Sequence, residues 1–300
     1  RPDLVPEGTR TLNILDIGRY LDEDDQEIPL KGVFIYNHNP VVVAPDQNQM
    51  KRGLSREDVF VVGCDITMTD SMRYADIILP ACSHFEHDDI YCAYGQPYLQ
   101  RAEPVIARVG QSLPNTEIFR RLAARFGYTD DLFKTSDRDL MNEALDPADP
   151  RFKGVRPSDL PVGEALSMED AAEDVILFKN TYPKTPSGKI ELSSDYLGDK
   201  YNQQIPIYQP VEAIYPLSLV TPSSNKMITS TFGGVAANKN TPVLEMHPID
   251  ATARKLTDGS EVKVFNDLGE VFLPLKITKD VRPGVLYSPK GSWVLTTRNN

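Results

Sequence analysis

Two polar segments, 36-YNHNP-40 and 64-CDITMTD-70, carry side chains that could hold a phosphate or a ribose. Each segment follows a short apolar run rich in β-branched residues, which is typical of a buried strand, and ligands of open α/β sheets collect at the carboxyl ends of strands. Asn37 and Asn39 offer amide donors and tolerate tight turns. Asp65 can accept hydrogen bonds from ribose hydroxyls or from the paired N–H donors of guanine. For the first segment, a polar loop without a ligand is the alternative.

The hydroxyl groups of two segments can each be interpreted in two ways. Thr67 and Thr69 could add contacts to the same ligand, or they could cap the start of the following helix. Farther along, 221-TPSSNKMITSTFGG-234 is rich in hydroxyls and ends in paired glycines, which would let the backbone approach an anion closely. The alternative for this segment is an ordinary flexible loop.

The cluster 84-HFEHDD-89 contains several ligating and titratable groups, but its spacing argues against a metal site. An H-x-x-H pair outside a helix lacks the one-face geometry of H-E-x-x-H and has no convincing third ligand. We therefore predict a hydrogen-bonded loop network here. Cys64, Cys82 and Cys92 show no CxxC spacing and are odd in number. We predict reduced, mostly buried thiols, not a metal centre or a disulfide framework.

Composition restricts the partners of the chain. Its formal charge of −11 and its pI of ≈ 4.9 argue against nucleic acids and anionic membranes, which require a dense field of lysine and arginine. No apolar run approaches the ~18–20 residues of a membrane span, and no signal peptide opens the sequence. We expect a soluble, cytoplasmic protein, with the periplasm left open because Arg1 is not a natural start and upstream sequence is expected.

The first third of the chain alternates strand and helix patterns, which predicts a parallel sheet. Strands are predicted at 32–36, 59–63 and 76–80, with helices at 46–54 and 68–75. A longer helix is predicted over residues 115–126. Asn115 can cap its start, Gly127 can end it, and an i, i+4, i+8 stripe is formed by Ile118, Leu122 and Phe126.

The rest of the chain divides near Pro210. Between 131 and 209 the periodicity is weak, apart from a helical stretch near 168–180, and we interpret this part as a connecting region that wraps the first domain. Strands are predicted at 216–220, 243–246, 261–265, 270–277 and 285–287. The turn 266-NDLG-269 predicts a hairpin. We therefore expect a parallel-sheet domain over 1–130, the connecting region over 131–209 and a β-barrel domain over 210–300.

The order and spacing of several segments resemble the molybdopterin oxidoreductase superfamily, which includes dimethyl sulfoxide reductases, formate dehydrogenases and nitrate reductases. The segments are 36-YNHNP-40, 74-YADIILPACSHFEHDD-89, 94-YGQPYLQRAEP-104, 115-NTEIFRRLAARFG-127, 185-TPSGKIEL-192, 229-TSTF-232, 247-HPIDATARKLTDGSEVKVFNDLGE-270 and 282-RPGVLYSPKGSW-293. The resemblance implies an α/β fold, with a Rossmann-like parallel-sheet domain followed by a mainly β double-psi barrel domain. It also implies two-electron oxidoreductase activity.

The cofactor implied by the resemblance is a molybdopterin guanine dinucleotide with molybdenum or tungsten. In the parallel-sheet domain, the phosphate and guanosine site would be lined by Asn37, Asn39, Asp65, Thr67 and Thr69. In the barrel domain, the residues facing the cofactor would be Pro222, Ser223, Ser230, Thr231 and Phe232, with Lys290 and Trp293 on a later loop. No residue of this chain is expected to be catalytic or to ligate the metal.

In the resembling family, the protein ligand of the metal belongs to an upstream domain, as does the iron–sulfur module of many members. We therefore expect this C-terminal part to be inactive alone. Its expected partners are the N-terminal domains of the same protein and an electron-transfer subunit. A cofactor-free structural subunit of a respiratory complex is the alternative. A nicotinamide dehydrogenase is disfavoured, because no G-x-G-x-x-G follows the first predicted strand.

Overall fold

The computed structural model of the chain describes most of its residues. These are 5–23, 27–145, 148–168, 176, 178–179, 182–210, 212, 214–238 and 242–297. The chain divides into two compact units, which we call unit 1 (Arg1–Ala81 with Ala213–Asn300) and unit 2 (Cys82–Glu212). Unit 1 thus combines segments that are far apart in sequence. The domain limits that we placed at 130 and 209 stay a prediction.

The first sheet of unit 1 is parallel, with strand order β1-β2-β3. Its strands and helices are α1 (Ile17–Asp22), β1 (Gly32–Tyr36), α2 (Pro40–Val43), α3 (Gln47–Leu54), β2 (Phe60–Asp65) and β3 (Ile77–Pro80). The register pairs Tyr36 with Cys64 and Asp65 with Pro80, so the carboxyl ends of the three strands lie side by side. The predicted strand–helix alternation is confirmed. The second crossover, however, contains a 3-10 helix, Ser71–Tyr74, instead of an α-helix.

The core of this half of unit 1 forms where α1 and α3 pack on the sheet. Helix α3 begins at a capped end, because the carboxylate of Asp46 accepts a hydrogen bond from the Gln49 N–H at 3.0 Å. The buried core residues are Leu21, Ile35, Val41, Met50, Leu54, Val59, Val61 and Met72. Burying these apolar side chains removes them from water and supports the strands that end at the polar segments.

The second sheet of unit 1 has strand order β7-β11-β8-β10-β9. Its elements are β7 (Ser218–Val220), β8 (Leu244–Met246), α7 (Pro248–Ala253), β9 (Glu261–Phe265), β10 (Glu270–Ile277) and β11 (Val285–Tyr287). The predicted hairpin is confirmed, since β9 and β10 pair antiparallel and the Asn266 N–H donates to the Gly269 carbonyl at 3.0 Å. Parallel pairs join β8 to β10 and β7 to β11. The sheet is therefore mixed, with a core around Leu244 and Leu275.

Unit 2 contains an antiparallel sheet of order β4-β5-β6 and several short helices. The elements are β4 (Asp89–Tyr91), β5 (Tyr98–Ala102), α4 (Asn115–Phe126), α5 (Asp137–Glu143), β6 (Ala165–Ser167) and α6 (Asp195–Tyr201). Its core includes Leu99, Phe152 and Leu160. The predicted helix near 168–180 falls largely on residues outside the described part of the chain.

Helix α4 has the predicted bounds but differs from the prediction at its ends. Gly127 ends the helix with a φ of 80°, as predicted. The N-cap is Pro114, so Asn115 is the first helical residue and not the cap. Ile118 is buried, whereas Phe126 is 77% exposed. The predicted apolar stripe therefore describes the middle of the helix and is wrong at its last turn, where periodicity alone does not supply a covering partner.

In the part of the chain that the structure describes, helices are too short or too polar to cross a membrane.

Candidate functional site

A cavity of about 670 Å³ opens in unit 1 at the carboxyl ends of β1 and β2, a size in the range of ligand pockets. Most of the predicted binding residues line it: Asn37, Asn39, Asp65, Thr67, Thr69, Ser230, Thr231, Phe232 and Trp293. We call this space the nucleotide cavity. It brings segments near residues 37, 67, 231 and 294 together, which their separation in sequence does not reveal.

The loop after β1 presents a buried amide donor, that of Asn39, which has no partner within the described structure. Asn37 has a φ of 49°, which turns the chain as β1 ends. The side chain of Asn39 is 6% exposed, and its Oδ1 accepts hydrogen bonds from the Ser71 hydroxyl at 2.6 Å and from the Ser71 N–H at 3.2 Å. Its Nδ2 is buried and has no partner among the described residues. Ser71 thus orients Asn39 and leaves its donor available for a ligand.

His38 adds a second unpaired buried nitrogen on the same wall. Its Nε2 has no partner among the residues that the structure describes. Burial lowers the pKa of His38 below its ordinary value, because the charged imidazolium loses hydration. Since buried polar atoms are nearly always hydrogen-bonded, two unpaired atoms in one cavity indicate where a polar ligand would bind. Arg73, which also lines the cavity, brings a positive charge that suits a phosphate.

Asp65 lies at the end of β2, as predicted, and faces the same cavity. Its Oδ1 accepts a hydrogen bond from the Ile66 N–H at 2.7 Å. Burial raises the pKa of the Asp65 carboxyl, while backbone hydrogen bonds from Ile66 and Thr67 oppose that shift. A carboxylate has about four acceptor positions, so capacity is left for a ligand that donates N–H groups.

The two threonines differ in their surroundings. Thr69 is 4% exposed, and its hydroxyl oxygen accepts a hydrogen bond from the Met72 N–H at 3.3 Å. Thr69 therefore supports the 3-10 helix of the second crossover, which is the capping role that we weighed from the sequence. Thr67 is exposed to the cavity.

The loop at 229–235 is held in place by Trp293. The indole Nε1 donates to the Ser230 carbonyl at 2.7 Å. A Cβ atom at Gly233 would overlap the Trp293 ring, and one at Gly234 would lie 2.9 Å from it. The paired glycines thus let the ring lie against the loop backbone, whereas the sequence suggested either the close approach of an anion or an ordinary flexible loop. The loop itself is strained at Phe232, whose φ is 70°.

Three predicted residues, Pro222, Ser223 and Lys290, are not among those that line the nucleotide cavity. The Lys290 N–H donates to the Pro222 carbonyl at 3.0 Å, so these two residues adjoin where β7 and β11 end. Ser223 and Lys290 are exposed. This patch follows strands of the second sheet, and its residues do not line the cavity.

Sequence reasoning missed Asp70, His38 and Arg73. Asp70 is 4% exposed, and its carboxylate accepts hydrogen bonds from the backbone N–H groups of Val294 at 2.9 Å and Leu295 at 3.1 Å. No spacing pattern could have indicated this contact, because the partners are more than 200 positions apart. The sequence pointed only weakly to Arg73, since a cation close to the end of a strand is a common phosphate contact.

The cluster at 84–89 forms the predicted loop network. Glu86 Oε2 accepts hydrogen bonds from the Ser83 N–H at 2.8 Å and the Ser83 hydroxyl at 2.7 Å. Its Oε1 accepts from the Val109 N–H at 2.7 Å and the Ser112 hydroxyl at 2.9 Å. These bonds lower the pKa of Glu86 to about 2, with the Val109 N–H contributing most.

The three cysteines are free thiols, and those of Cys64 and Cys82 are buried while Cys92 is exposed. Two of the three thiols are thus buried, as predicted, and the prediction that they are reduced stays a prediction.

Two protein-family models match the chain. The one described as "Molybdopterin oxidoreductase" matches residues 18–125, and the one described as "Molydopterin dinucleotide binding domain" matches residues 217–300. Together they cover more than half of the chain, and they contain the whole lining of the nucleotide cavity.

Comparisons with individual proteins agree with these matches. The chain is 38% identical over 300 residues to "Probable oxidoreductase YoaE" of Bacillus subtilis, with 98% of this chain and 43% of the relative covered. It is 26% identical over 289 residues to the F420-dependent formate dehydrogenase subunit alpha of Methanocaldococcus jannaschii, covering 92% of this chain and 40% of the relative. It is 27% identical over 311 residues to the dimethyl sulfoxide reductase DmsA of Escherichia coli, covering 90% and 38%.

The fold is similar to that of acetylene hydratase from Pelobacter acetylenicus, with a TM-score of 0.75 and 22% sequence identity over 94% of this chain and 40% of that one. The chain belongs to the molybdopterin oxidoreductase superfamily. The predicted family and the molybdopterin dinucleotide cofactor of this family are therefore confirmed, and the curated relatives named here include oxidoreductases. The chain spans less than half the length of the curated relatives that it matches.

Proposed function

We propose that unit 1 binds the guanine nucleotide portion of a molybdopterin guanine dinucleotide, within a longer molybdenum or tungsten oxidoreductase. The observation that carries this proposal is the pair of unpaired buried nitrogens, Asn39 Nδ2 and His38 Nε2, in a cavity lined by the predicted binding residues. A bound nucleotide would supply the partners that these atoms lack.

The lining of the cavity suits the separate parts of a nucleotide. Arg73 and the amide groups of Asn37 and Asn39 offer donors to phosphate oxygens. Asp65 suits guanine, because one carboxylate can accept from the two adjacent N–H groups of that base, a pairing that adenine does not offer. The hydroxyl of Thr67 suits a ribose.

The wall of the cavity formed by residues 230–235 and 293–295 would hold the ligand from the opposite direction. Ser230 and Thr231 offer hydroxyls, and Phe232 offers a half-exposed aromatic face. We infer that the mixed sheet is part of a double-psi barrel. We further infer that Pro222, Ser223 and Lys290 contact the cofactor outside the cavity, since they adjoin at one exposed strand end.

When bound, the cofactor would supply a metal centre for two-electron redox chemistry, while the residues named here bind and orient it. We infer that this chain, purified alone, retains no stoichiometric molybdenum or tungsten and has no reductase activity, because the metal ligand is expected in another part of the protein. Elemental analysis that finds a stoichiometric metal would contradict this inference. A longer native protein that is purified without metal would instead support a cofactor-free structural role.

The nucleotide preference of the chain tests the assignment of Asp65. We expect calorimetric titration to show tighter binding of guanosine diphosphate than of adenosine diphosphate. Asp65→Ala should weaken guanosine diphosphate binding by about one to two decades, which corresponds to the roughly 1.5–3 kcal/mol of hydrogen bonds to a charged group. Binding of the adenine nucleotide should change little.

Asp258→Ala is the matched control, because the Oδ1 of Asp258 also accepts one backbone N–H, from Ile277 at 2.6 Å, but lies in a barrel turn. The control should lose stability and keep its nucleotide affinity. If Asp65→Ala lowers only the melting temperature and binds guanosine diphosphate normally, Asp65 is a turn-stabilising residue and the assignment is wrong.

A further inference from the structure

Asp70 connects two walls of the nucleotide cavity that come from opposite ends of the chain. It lies in the crossover between β2 and β3, and its carboxylate accepts the backbone N–H groups of Val294 and Leu295 at 2.9 and 3.1 Å. These two residues begin the 3-10 helix Val294–Thr296, whose own N-cap residue, Trp293, makes no side-chain cap. Asp70 therefore supplies the cap from a distant segment.

The capped segment in turn positions the loop at 229–235. Trp293 immediately precedes the capped N–H groups and is 7% exposed. Its indole N–H donates to the Ser230 carbonyl at 2.7 Å, and its ring occupies the space that a side chain at Gly233 would need. Displacing the segment would therefore move Trp293 away from the loop that carries Ser230 and Phe232.

The neighbours of Asp70 hold the opposite wall. Ser71, which is fully buried, donates to Asn39 Oδ1 at 2.6 Å and accepts from the Val41 N–H at 3.0 Å. The Thr69 hydroxyl accepts the Met72 N–H in the 3-10 helix that contains Ser71. Consecutive buried residues thus orient the unpaired donor of Asn39 on one side and Trp293 on the other.

We propose that Asp70 is a positioning residue of the nucleotide cavity, which holds Trp293 and the 229–235 loop in the conformation that binds the ligand. The part of this inference that concerns the ligand rests on the proposed nucleotide binding. The ordering of Trp293 by Asp70 does not rest on it. The test therefore measures the order of Trp293 and the binding of the nucleotide separately.

Trp293 is the single tryptophan of the chain, so its fluorescence reports on this segment alone. In Asp70→Asn, one acceptor oxygen becomes an NH₂ group that cannot accept the facing N–H. We expect a red-shifted emission and stronger quenching by acrylamide, with unchanged far-ultraviolet circular dichroism. A folded Asp70→Asn chain with the emission and quenching of the wild type would overturn the proposal.

Asp250→Asn is the matched control. Its Oδ2 accepts the Gly284 N–H at 2.8 Å, across a long separation in the same unit, but Asp250 does not line the nucleotide cavity. This variant should show the tryptophan emission of the wild type even where its melting temperature falls. A red shift of equal size in Asp250→Asn would mean that Trp293 responds to any loss of stability, which would also overturn the proposal.

Val294→Pro tests the same bond from the donor side and serves if Asp70→Asn does not fold. Proline lacks the N–H that donates to Asp70 and is favoured at the first position of a helix. The backbone of Trp293, with φ −79° and ψ 139°, is compatible with a following proline. We expect the same increase in quenching, and wild-type quenching in this variant would contradict the role of Asp70.

Guanosine diphosphate provides the second readout. Asp70→Asn should bind it about tenfold more weakly, because losing the charge-assisted bonds to the backbone of Val294 and Leu295 lowers the population of the binding conformation by about that factor. Because linkage is reciprocal, saturating nucleotide should protect Trp293 from quenching more in Asp70→Asn than in the wild type.

If the wild type binds no guanosine diphosphate, the proposed function fails and the quenching comparison still decides the role of Asp70. If the variant shows stronger quenching but wild-type affinity, the positioning role for the ligand is wrong.

Discussion

The polar cluster of unit 2 and the nucleotide cavity of unit 1 differ in how completely their buried groups are paired. In unit 2, both oxygens of Glu86 accept hydrogen bonds, from the backbone and hydroxyl of Ser83 on one side and from Val109 and Ser112 on the other. A carboxylate with this many donors has little capacity left for a ligand. The cluster therefore fastens loops to one another.

In unit 1, buried nitrogens of His38 and Asn39 have no partner within the described residues. The segment 84–89 contains more ligating residue types than the segment 36–40, yet of the two only the latter carries buried side-chain nitrogens without a partner among the described residues. The comparison teaches that a binding site is indicated by unsatisfied buried groups in a cavity, more than by the types of side chain present.

The largest effect on stability should come from Glu86→Gln. The new amide nitrogen cannot accept the donors that now face one oxygen, so buried N–H or O–H groups of Ser83 or Val109 lose their partner. We expect a clear fall in the melting temperature and an unchanged affinity for guanosine diphosphate, measured on the same sample. Asp131→Asn, which disturbs only an exposed pair with Lys134, should leave both quantities nearly unchanged. A loss of nucleotide affinity in Glu86→Gln would break the comparison.

The same residue predicts a dependence of stability on pH. The pKa of Glu86 is lowered from 4.5 to about 2 in the folded chain, so its contribution is present above the unfolded value and is lost as the pH falls through that window. The stability difference between the wild type and Glu86→Gln should therefore be largest above about pH 4.5 and should shrink towards pH 2. Urea unfolding of both chains across this range measures it, and a constant difference would refute the assignment.

A smaller effect on stability, but a selective effect on binding, is expected for Asn39→Asp. This change keeps the oxygen that accepts from Ser71 and replaces the unpaired Nδ2 donor by a second carboxylate oxygen. We expect guanosine diphosphate to bind at least about tenfold more weakly, because a donor is lost and a negative charge faces phosphates. The melting temperature should change less than in Glu86→Gln. Wild-type affinity in Asn39→Asp would show that the unpaired nitrogen does not face the ligand.

Local patterns predicted much of the fold. The bounds of β1, β9, β10, β11 and α4 agree with the predictions, because strand alternation, turn residues and the stop at Gly127 are encoded in neighbouring positions. The predictions are wrong where packing or hydrogen-bond partners elsewhere in the chain decide the burial or the conformation of a segment. Phe126 continues the apolar stripe of α4 but is largely exposed. The crossover after β2 is a 3-10 helix in which Thr69 accepts the Met72 N–H, and the neighbouring Asp70 bonds to Val294, more than 200 positions away.

The sequence alone determined where the strands end and which side chains follow them, since strand periodicity and the placement of Asn37, Asn39 and Asp65 are properties of short segments. Only the tertiary structure decided that Asp70 caps Val294, and that Trp293 needs the space beside Gly233. Hydrogen bonds between distant segments depend on how the chain closes on itself, and closure is set by the packing of whole elements. For the same reason, the unused donor of Asn39 became visible only once Ser71 was seen to occupy its other end.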